Sequence, residues 1–366
     1  MPEIEKLNVS VYTVPTAEPE SDGTFTWDAT TVVVSEPSAG GETGLGFSYA
    51  TGACGRLIND VLEEAVVGQD AMDVGRCWSA MVRSIRNIGR PGVASMAIAA
   101  VDISLWDLKA KLVDRPLVKV LGQVHDNVAV YGSGGFTSLT DTELADQLGG
   151  WAHDQDIPRV KMKVGQAWGS RPDRDLERAR VARATIGCDV ELFVDANGGY
   201  TPKQAIRLAQ DYEALGVTWL EEPVSSDHLD ALAEIRAQTP IDVAAGEYGY
   251  DLFYFEAMCA AGAVDCLQAD VSRCAGITEW LRVAALAEAH GLEVSGHCAP
   301  SLHLHPACAV DNIRHVEYFA DHARVDRILF DGVIDPVGGA LCPDLSRPGL
   351  GLELKRVDAE VYEVGG

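Results

Sequence analysis

The chain has 366 residues, of which 47% are hydrophobic and 23% charged, and its formal net charge is −26. This acidic balance argues against nucleic acid and anionic membrane surfaces as partners, because phosphate groups are bound by basic surfaces. No apolar run approaches the ~20 residues of a membrane helix, and no secretory signal is visible. Nine scattered cysteines without a Cys-x-x-Cys pair indicate reduced thiols, so we expect a cytoplasmic protein.

The first 125 residues have an α+β pattern. Two β-like segments, KLNVSVYTV and TTVVVSEP, flank an acidic stretch that we expect to be a loop, and helical segments follow them. The tail over residues 336–366 is rich in Gly and Pro, and we expect it to pack back onto this region. The sequence therefore predicts a capping domain formed by residues 1–125 together with the tail.

Residues 126–335 repeat a unit of a short apolar strand followed by a helical stretch. Strands alternating with helices indicate parallel βαβ units, and eight strands predict a closed barrel. An open doubly wound sheet would need a reversal of strand order that is not visible, and no Gly-x-Gly-x-x-Gly motif opens a helix. The predicted strands cover residues 128–133, 159–164, 190–195, 217–221, 241–246, 266–270, 292–297 and 315–319.

Three consecutive strands of this barrel end near a carboxylate, in the motifs VDANGG, WLEEP and AAGEYG. Each residue alone is more typical of a helix cap or a solvated charge. Together, Asp195, Glu221 and Glu247 would repel one another without a cation, and an all-oxygen set suits Mg²⁺. Glu222 is the weaker candidate, because the alternation that points Glu221 inward points its neighbour elsewhere.

The second strand carries Lys161 and Lys163 in the pattern Val-Lys-Met-Lys-Val. Alternation places both lysines on one face, and an isolated pattern of this kind is usually a solvated surface strand. Opposite three carboxylates, we expect the lysines to point into the barrel mouth. Two close ammonium groups depress each other's pKa, so the sequence predicts a lysine base that acts near neutral pH.

The sixth and seventh strands end in Asp270 and His297, which form a candidate acid/base dyad because a carboxylate fixes the tautomer of an adjacent imidazole. Glu317, on the eighth strand, is expected to hydrogen-bond a substrate carboxylate if it carries the proton itself. His303 and His305 follow in SLHLHPA. We interpret these two histidines as structural or supporting residues, since the acidic triad already completes a metal site.

With these motifs and the helix VASMAIAAVDISLWDLKAK, the chain resembles the enolase superfamily, within it the mandelate racemase group, and most of all its acid-sugar dehydratases. The resemblance implies a (β/α)7β TIM-like barrel with an α+β capping domain, a Mg²⁺ cofactor and a homo-oligomer. It also implies a role for each matching residue. These are metal ligation for Asp195, Glu221 and Glu247, proton transfer for Lys163 with Lys161 beside it, the opposite dyad for His297 and Asp270, and substrate-carboxylate contact for Glu317.

The implied reaction is Mg²⁺-dependent removal of the proton next to a carboxylate through an enediolate, with dehydration of a sugar acid to a 2-keto-3-deoxy acid. The alternative is a racemase or epimerase of a 2-hydroxy acid, since bases are present for both faces. A non-catalytic binding barrel would have lost one of these residues. Residues 15–30 contain no basic residue, which argues against a diacid substrate unless Arg90 reaches its far carboxylate.

Overall fold

The computed structural model describes residues 2–365 and begins with a twisted antiparallel sheet. Its strands are β1 (Lys6–Ser21), β2 (Thr26–Ala39), β3 (Glu42–Thr43) and β4 (Gly46–Tyr49). The acidic stretch predicted as a loop is mostly strand, and only residues 22–25 form the turn. The pairing of β1 with β2 is irregular between Pro15 and Glu20, where prolines cannot donate to the ladder.

Helices pack against this sheet. They are α1 (Gly52–Leu57), which continues through a π-helical turn (Ile58–Leu62), α2 (Glu63–Val66), α3 (Val74–Ser84), α4 (Val93–Leu112) and α5 (Leu117–Leu121). Helix α4 is buried on nearly all sides, which explains why its sequence is apolar without a clear polar face. A Cβ on Gly46 would lie 2.3 Å from the Ser104 amide nitrogen, so β4 approaches α4 more closely than another residue allows.

Eight parallel strands follow and close into a barrel, because the last of them pairs with the first. They are β5 (Val128–Gly134), β6 (Arg159–Lys163), β7 (Glu191–Asp195), β8 (Val217–Glu221), β9 (Asp242–Ala245), β10 (Cys266–Ala269), β11 (Glu293–Gly296) and β12 (Ile313–Phe319). The predicted barrel with an added α+β domain is confirmed.

The helices of the barrel region are α6 (Asp141–Gly149, extended by a π-helical turn, Gly150–Asp154), α7 (Gln166–Gly169), α8 (Pro172–Ile186), α9 (Pro202–Ala214), α10 (Leu229–Arg236), α11 (Leu252–Ala260), α12 (Ile277–Ala289), α13 (Pro300–Ala307) and α14 (Ala320–Leu329). Proline opens α8, α9 and α13, where its missing N–H costs little.

An aromatic layer fills the barrel interior below its mouth. Phe193 stacks on Trp219 with ring centroids 5.3 Å apart, and Tyr131 meets His315 edge to face at 4.8 Å. All four are buried. Phe193, Trp219 and His315 each lie two residues before a polar residue at the mouth. The layer therefore forms the floor of the site, and the interior is a packed core rather than a pore.

The C-terminal tail contacts both parts of the molecule. Its elements are β13 (Phe330–Asp331), β14 (Ala340–Leu341), β15 (Glu353–Leu354), α15 (Arg356–Ala359), a 3₁₀ turn (Glu360–Tyr362) and β16 (Glu363–Val364). Strand β16 pairs with β1, and β14 pairs with β5. The domain limits at residues 125 and 335 stay a prediction. Within residues 2–365, no helix combines the length and apolar character needed to cross a membrane.

His305 on α13 joins the tail to the rest of the fold. Its Nδ1 accepts a hydrogen bond from the Val118 N–H (3.1 Å), and its Nε2 donates to the Leu350 carbonyl (3.1 Å). Burial lowers the pKa of His305 to about 4, although the bond to Leu350 acts to raise it. In the unfolded chain a histidine titrates near 6.5. The native state is therefore favoured above this pH and loses stability as the pH falls from about 6.5 to 4.

We expect the melting temperature to fall on acidification through this range, and to fall less steeply in His305→Gln, which has no proton to gain. Thermal melts of both proteins at pH 7.5 and 5 measure the difference. Identical pH dependences of the two melting temperatures would show that His305 does not contribute to the loss of stability at low pH.

Candidate active site

The three predicted metal ligands converge at the mouth of the barrel. Asp195 and Glu221 end neighbouring strands and are paired in register. One carboxylate oxygen from each of Asp195, Glu221 and Glu247 lies within 4.8 Å of the others, and all three side chains are buried. The Asn197 N–H donates to Asp195 Oδ1 (2.9 Å), and the indole N–H of Trp219 donates to Glu221 Oε2 (2.9 Å).

Glu247 reaches this group through a turn that requires glycine. Gly246 has a φ of +133°, and a Cβ there would lie 2.1 Å from the Gln268 carbonyl oxygen. The buried Glu247 Oε2 has no hydrogen-bond partner among the described residues. An all-oxygen set of buried carboxylates with an unsatisfied oxygen fits a hard divalent cation such as Mg²⁺.

Both lysines of β6 point into the same group. Lys161 forms ion pairs with Glu221 and with Glu317 (2.8 Å), and Lys163 pairs with Asp195. Burial acts to lower the pKa of each lysine, but the adjacent carboxylates outweigh it and raise both values. The expectation of depressed lysine pKa values is therefore wrong for this arrangement. The sequence shows that the two lysines are neighbours on one face, but it does not show that a carboxylate lies still closer to each of them.

Asp270 and His297 form the predicted dyad. His297 Nδ1 lies 2.8 Å from Asp270 Oδ2, and its Nε2 faces Glu247 Oε2 at 3.4 Å and Glu317 Oε2 at 3.7 Å. Burial acts to lower the pKa of His297, but Glu247, the bond to Asp270 and Glu317 raise it overall. Burial would raise the pKa of Asp270, yet the bond to His297 and its charge hold it well below the usual range.

Glu317 lies between the two lysines of β6 and the His297–Asp270 dyad. It accepts hydrogen bonds from the Ser133 hydroxyl (2.5 Å) and from the Cys298 N–H (2.9 Å), besides its ion pair with Lys161. Burial acts to raise its pKa, but the charges of Lys161 and His297 lower it well below the ordinary value. The contact with a substrate carboxylate depended on Glu317 carrying the proton itself, and this arrangement favours the ionised form instead. Ser133 was missed because a lone serine in a strand carries no motif.

Two further residues of the site depart from the sequence expectations. Arg273 donates to Glu247 Oε1 (3.3 Å), and its Nε lies 3.6 Å from Asp270 Oδ2. The only signal for Arg273 in the sequence was its position three residues after Asp270.

Glu222 was expected to point away from the barrel. It is buried and has a left-handed φ of 39°, because β8 ends before it and the chain turns there.

His297, Cys298 and Glu317 form a second set of ligand atoms within 4.8 Å of one another. Burial raises the pKa of the Cys298 thiol well above its usual value, with further increases from Glu317 and Asp270. His297 Nδ1 is already bonded to Asp270. This set offers a neutral thiol and an imidazole with only one nitrogen left for a cation, so it binds a cation less well than the three carboxylates.

A cavity of about 590 Å³ is lined by Asn197, Glu222 and Tyr248, which follow the three carboxylates closely in sequence, although the three carboxylates themselves do not line it. It is lined by hydroxyl, amide, aromatic and acidic side chains and contains neither Arg nor Lys among its lining residues: Thr24, Pro91, Trp168, Asn197, Gly198, Glu222, Ser225, Ser226, Asp227, Tyr248, Tyr250, Asp251 and Tyr254. Arg90 does not line it. Arg90 instead pairs with Glu279 (2.9 Å), and its guanidinium lies over the Trp78 ring.

The turn between β1 and β2 closes over this region. The Trp168 N–H donates to the Gly23 carbonyl (3.0 Å), and the Thr137 hydroxyl donates to the Asp22 carbonyl (2.6 Å). A Cβ on Gly23 would lie 2.4 Å from the Val164 carbonyl oxygen. The turn is thus held directly against the loops that follow β5 and β6.

Family comparisons agree with this geometry. Residues 7–122 match the family model "Mandelate racemase / muconate lactonizing enzyme, N-terminal domain", and residues 143–359 match "Enolase C-terminal domain-like". A mandelate racemase/muconate lactonizing enzyme-like protein from Rubrobacter xylanophilus is 50% identical in sequence. Its crystal structure superposes with a TM-score of 0.96, over 99% of this chain and 100% of that one.

Relatives with named activities include a cycloisomerase and a dehydratase. The 3,6-anhydro-alpha-L-galactonate cycloisomerase of Streptomyces coelicolor is 32% identical, over 96% of this chain and 97% of its own. The L-talarate/galactarate dehydratase of Salmonella typhimurium, solved with Mg and L-lyxarohydroxamate, is 28% identical with a TM-score of 0.91, over 100% of this chain and 93% of its own. The chain therefore belongs to the mandelate racemase/muconate lactonizing enzyme family of the enolase superfamily.

Proposed function

We propose that the chain is a Mg²⁺-dependent lyase that removes the proton next to the carboxylate of a sugar acid and expels the β-hydroxyl, giving a 2-keto-3-deoxy acid. The observation that carries this proposal is the placement of two proton-transfer sets around one group of carboxylates. Lys163 ends β6, and the His297–Asp270 dyad follows β11 and β10. Strands β5 and β12 separate β6 from β11 on one side of the barrel, and four strands separate them on the other.

Asp195, Glu221 and Glu247 would hold the Mg²⁺. When bound, the ion supplies positive charge that stabilises negative charge developing on the substrate carboxylate. Burial acts to lower the pKa of Lys163, but its ion pair with Asp195 raises it; engaged as a metal ligand, Asp195 would release this lysine to take the α-proton from one face. Lys161 holds Glu317 in place through its ion pair. His297 bonds Asp270 through Nδ1 and presents Nε2 to the mouth of the barrel, where it donates a proton to the departing hydroxyl. The L-talarate/galactarate dehydratase relative supports elimination over racemisation.

We further propose that the substrate has a single carboxylate. A second carboxylate in the cavity would lose part of its hydration and meet acidic rather than cationic side chains among the lining residues, which disfavours it. Substrate hydroxyls fit better, because Asn197 Oδ1 and Glu222 Oε1 are buried and have no hydrogen-bond partner within residues 2–365, and both residues line the cavity. Both oxygens can accept bonds from hydroxyl groups.

The test is a panel of aldonates and aldarates matched in stereochemistry, with uronates added. Each is incubated with Mg²⁺ and followed for 2-keto acid release and for α-proton exchange in D₂O. We expect at least one aldonate to release 2-keto acid, with a kcat/KM about tenfold or more above that of its matching aldarate. Neither 2-keto acid release nor exchange with any acid would contradict the proposed function.

Cycloisomerisation is the second candidate, because the Streptomyces coelicolor relative carries that name. Lactones and anhydro acids therefore belong in the same panel. Isomerisation without release of water, or inversion of the α-carbon alone, would favour an isomerase over a dehydratase.

A further inference from the structure

The backbone that carries His297 is strained where it leaves the barrel. Cys298 and Ala299 have left-handed φ values of 48° and 43°, which residues with a Cβ rarely adopt. Surrounding side chains hold this turn. The Cys298 N–H donates to Glu317 Oε2 (2.9 Å), and the Ala299 N–H donates to His322 Nδ1 (3.1 Å). A strained segment persists only where its surroundings determine it in this way.

His303, on α13, contacts this turn and also the backbone beside the other half of the dyad. Its Nδ1 lies 3.0 Å from the Cys298 carbonyl oxygen and 3.2 Å from that of Ala299, so this nitrogen must donate. Its Nε2 lies 3.1 Å from the amide nitrogen of Val271, which follows Asp270 directly. A neutral imidazole with its proton on Nδ1 satisfies both contacts.

Other contacts support this tautomer. The Ala269 carbonyl, 3.2 Å from His303 Nε2, already accepts from the His297 N–H (3.0 Å) and from the Trp280 indole (3.3 Å). The ring packs so closely on β11 that a Cβ on Gly296 would lie 2.8 Å from His303 Cδ2. Burial also lowers the pKa of His303, which favours the neutral ring.

We infer that His303 is a positioning residue of the dyad, fixing the backbone after Asp270 and the backbone after His297 relative to each other through the two ends of one neutral imidazole. His303 is buried and both of its ring nitrogens bond backbone groups, so it acts through its neighbours. The inference rests on the proposed function for its kinetic test and on geometry alone for its spectroscopic test.

The variants His303→Asn and His303→Gln separate the two ends of the bridge. An Asn amide can still donate to the Cys298 carbonyl, and a Gln amide can still accept from the Val271 N–H. Each retains one contact and loses the other. We expect kcat for 2-keto acid formation to fall by about 10–100-fold in both, as for other losses of residues that orient a catalytic group. We expect KM to change less than about twofold, and exchange through Lys163 to persist.

The matched control is His305→Gln, since His305 lies on the same helix, is equally buried and also bonds two backbone groups, yet contacts neither half of the dyad. Its kcat should equal that of the unmodified protein. Turnover in both His303 variants equal to that of the control would overturn the inference. Parallel loss of exchange, 2-keto acid formation and melting temperature would overturn it too, since that pattern indicates general destabilisation.

Nitrogen-15 NMR of histidine-labelled protein tests the geometry without turnover. In the unmodified chain, His303 should show a protonated Nδ1 and an unprotonated Nε2 from pH 6 to 9. The His297 Nδ1 proton should exchange with solvent faster in both His303 variants than in His305→Gln. A His303 protonated on Nε2 would refute the bridge, even if no acid in the substrate panel were turned over.

Discussion

His297→Asn is expected to lower 2-keto acid formation by about 10²–10⁴-fold, the usual cost of losing one positioned acid or base. Asparagine keeps a polar group near Asp270 but cannot carry a proton to the leaving hydroxyl. Lys163 is intact in this variant, so exchange of the α-proton with D₂O should continue. Release of 2-keto acid and loss of the α-proton signal can be followed in one NMR experiment.

Lys163→Ala provides the matched comparison. It should remove exchange from the lysine face while Mg²⁺ binding remains. The converse pattern, with exchange lost in His297→Asn and kept in Lys163→Ala, would make His297 the abstracting base. Full turnover in both variants would place the chemistry on other residues.

Removal of the metal, or of one of its ligands, should abolish turnover. Glu247→Gln takes a negative charge from the three-carboxylate group, and loss of the several kcal/mol of charge stabilisation that a metal supplies corresponds to a fall on the order of 10³-fold or more. Isothermal titration calorimetry should show weaker Mg²⁺ binding in this variant. In the unmodified chain, Mg²⁺ should raise the melting temperature, because an ion that binds only the native state stabilises it.

Glu213→Gln is a suitable control, since Glu213 is an exposed residue at the end of α9, beside the start of β8 rather than beside its end at the mouth. Its Mg²⁺ affinity and turnover should match those of the unmodified chain. Turnover that survives exhaustive chelation, together with Glu247→Gln binding Mg²⁺ normally, would exclude these carboxylates as the metal site.

The sequence predicted the barrel and the convergence of Asp195, Glu221 and Glu247, because both are encoded by short local patterns. The strand Val-Lys-Met-Lys-Val shows by alternation which side chains share a face, and strands that end near Asp195 and Glu221 place these residues at one edge. Parallel neighbours bring such residues together without any long-range information.

Charge balance could not be predicted in this way. The pKa shifts of Lys163 and Glu317 depend on which oppositely charged atom is nearest, and that is decided by side-chain packing across the barrel. Arg273 and Ser133 belong to the site through contacts with residues far away in sequence. The orientation of Glu222 depends on its left-handed backbone conformation, which the sequence does not indicate because the residue is not a glycine. The homo-oligomer and the cytoplasmic location stay predictions.

The aromatic layer beneath the mouth decides from which side substrate and water can reach the site. Because Phe193, Trp219 and their neighbours block the barrel axis, substrate, product and water reach the site from the mouth, where the β1–β2 turn meets the barrel loops. The turn contacts these loops through the close approach of Gly23 to Val164 and through the hydrogen bond from the Thr137 hydroxyl to the Asp22 carbonyl. A residue with a Cβ at Gly23 would push this turn away from the Val164 carbonyl and so loosen the rim of the mouth.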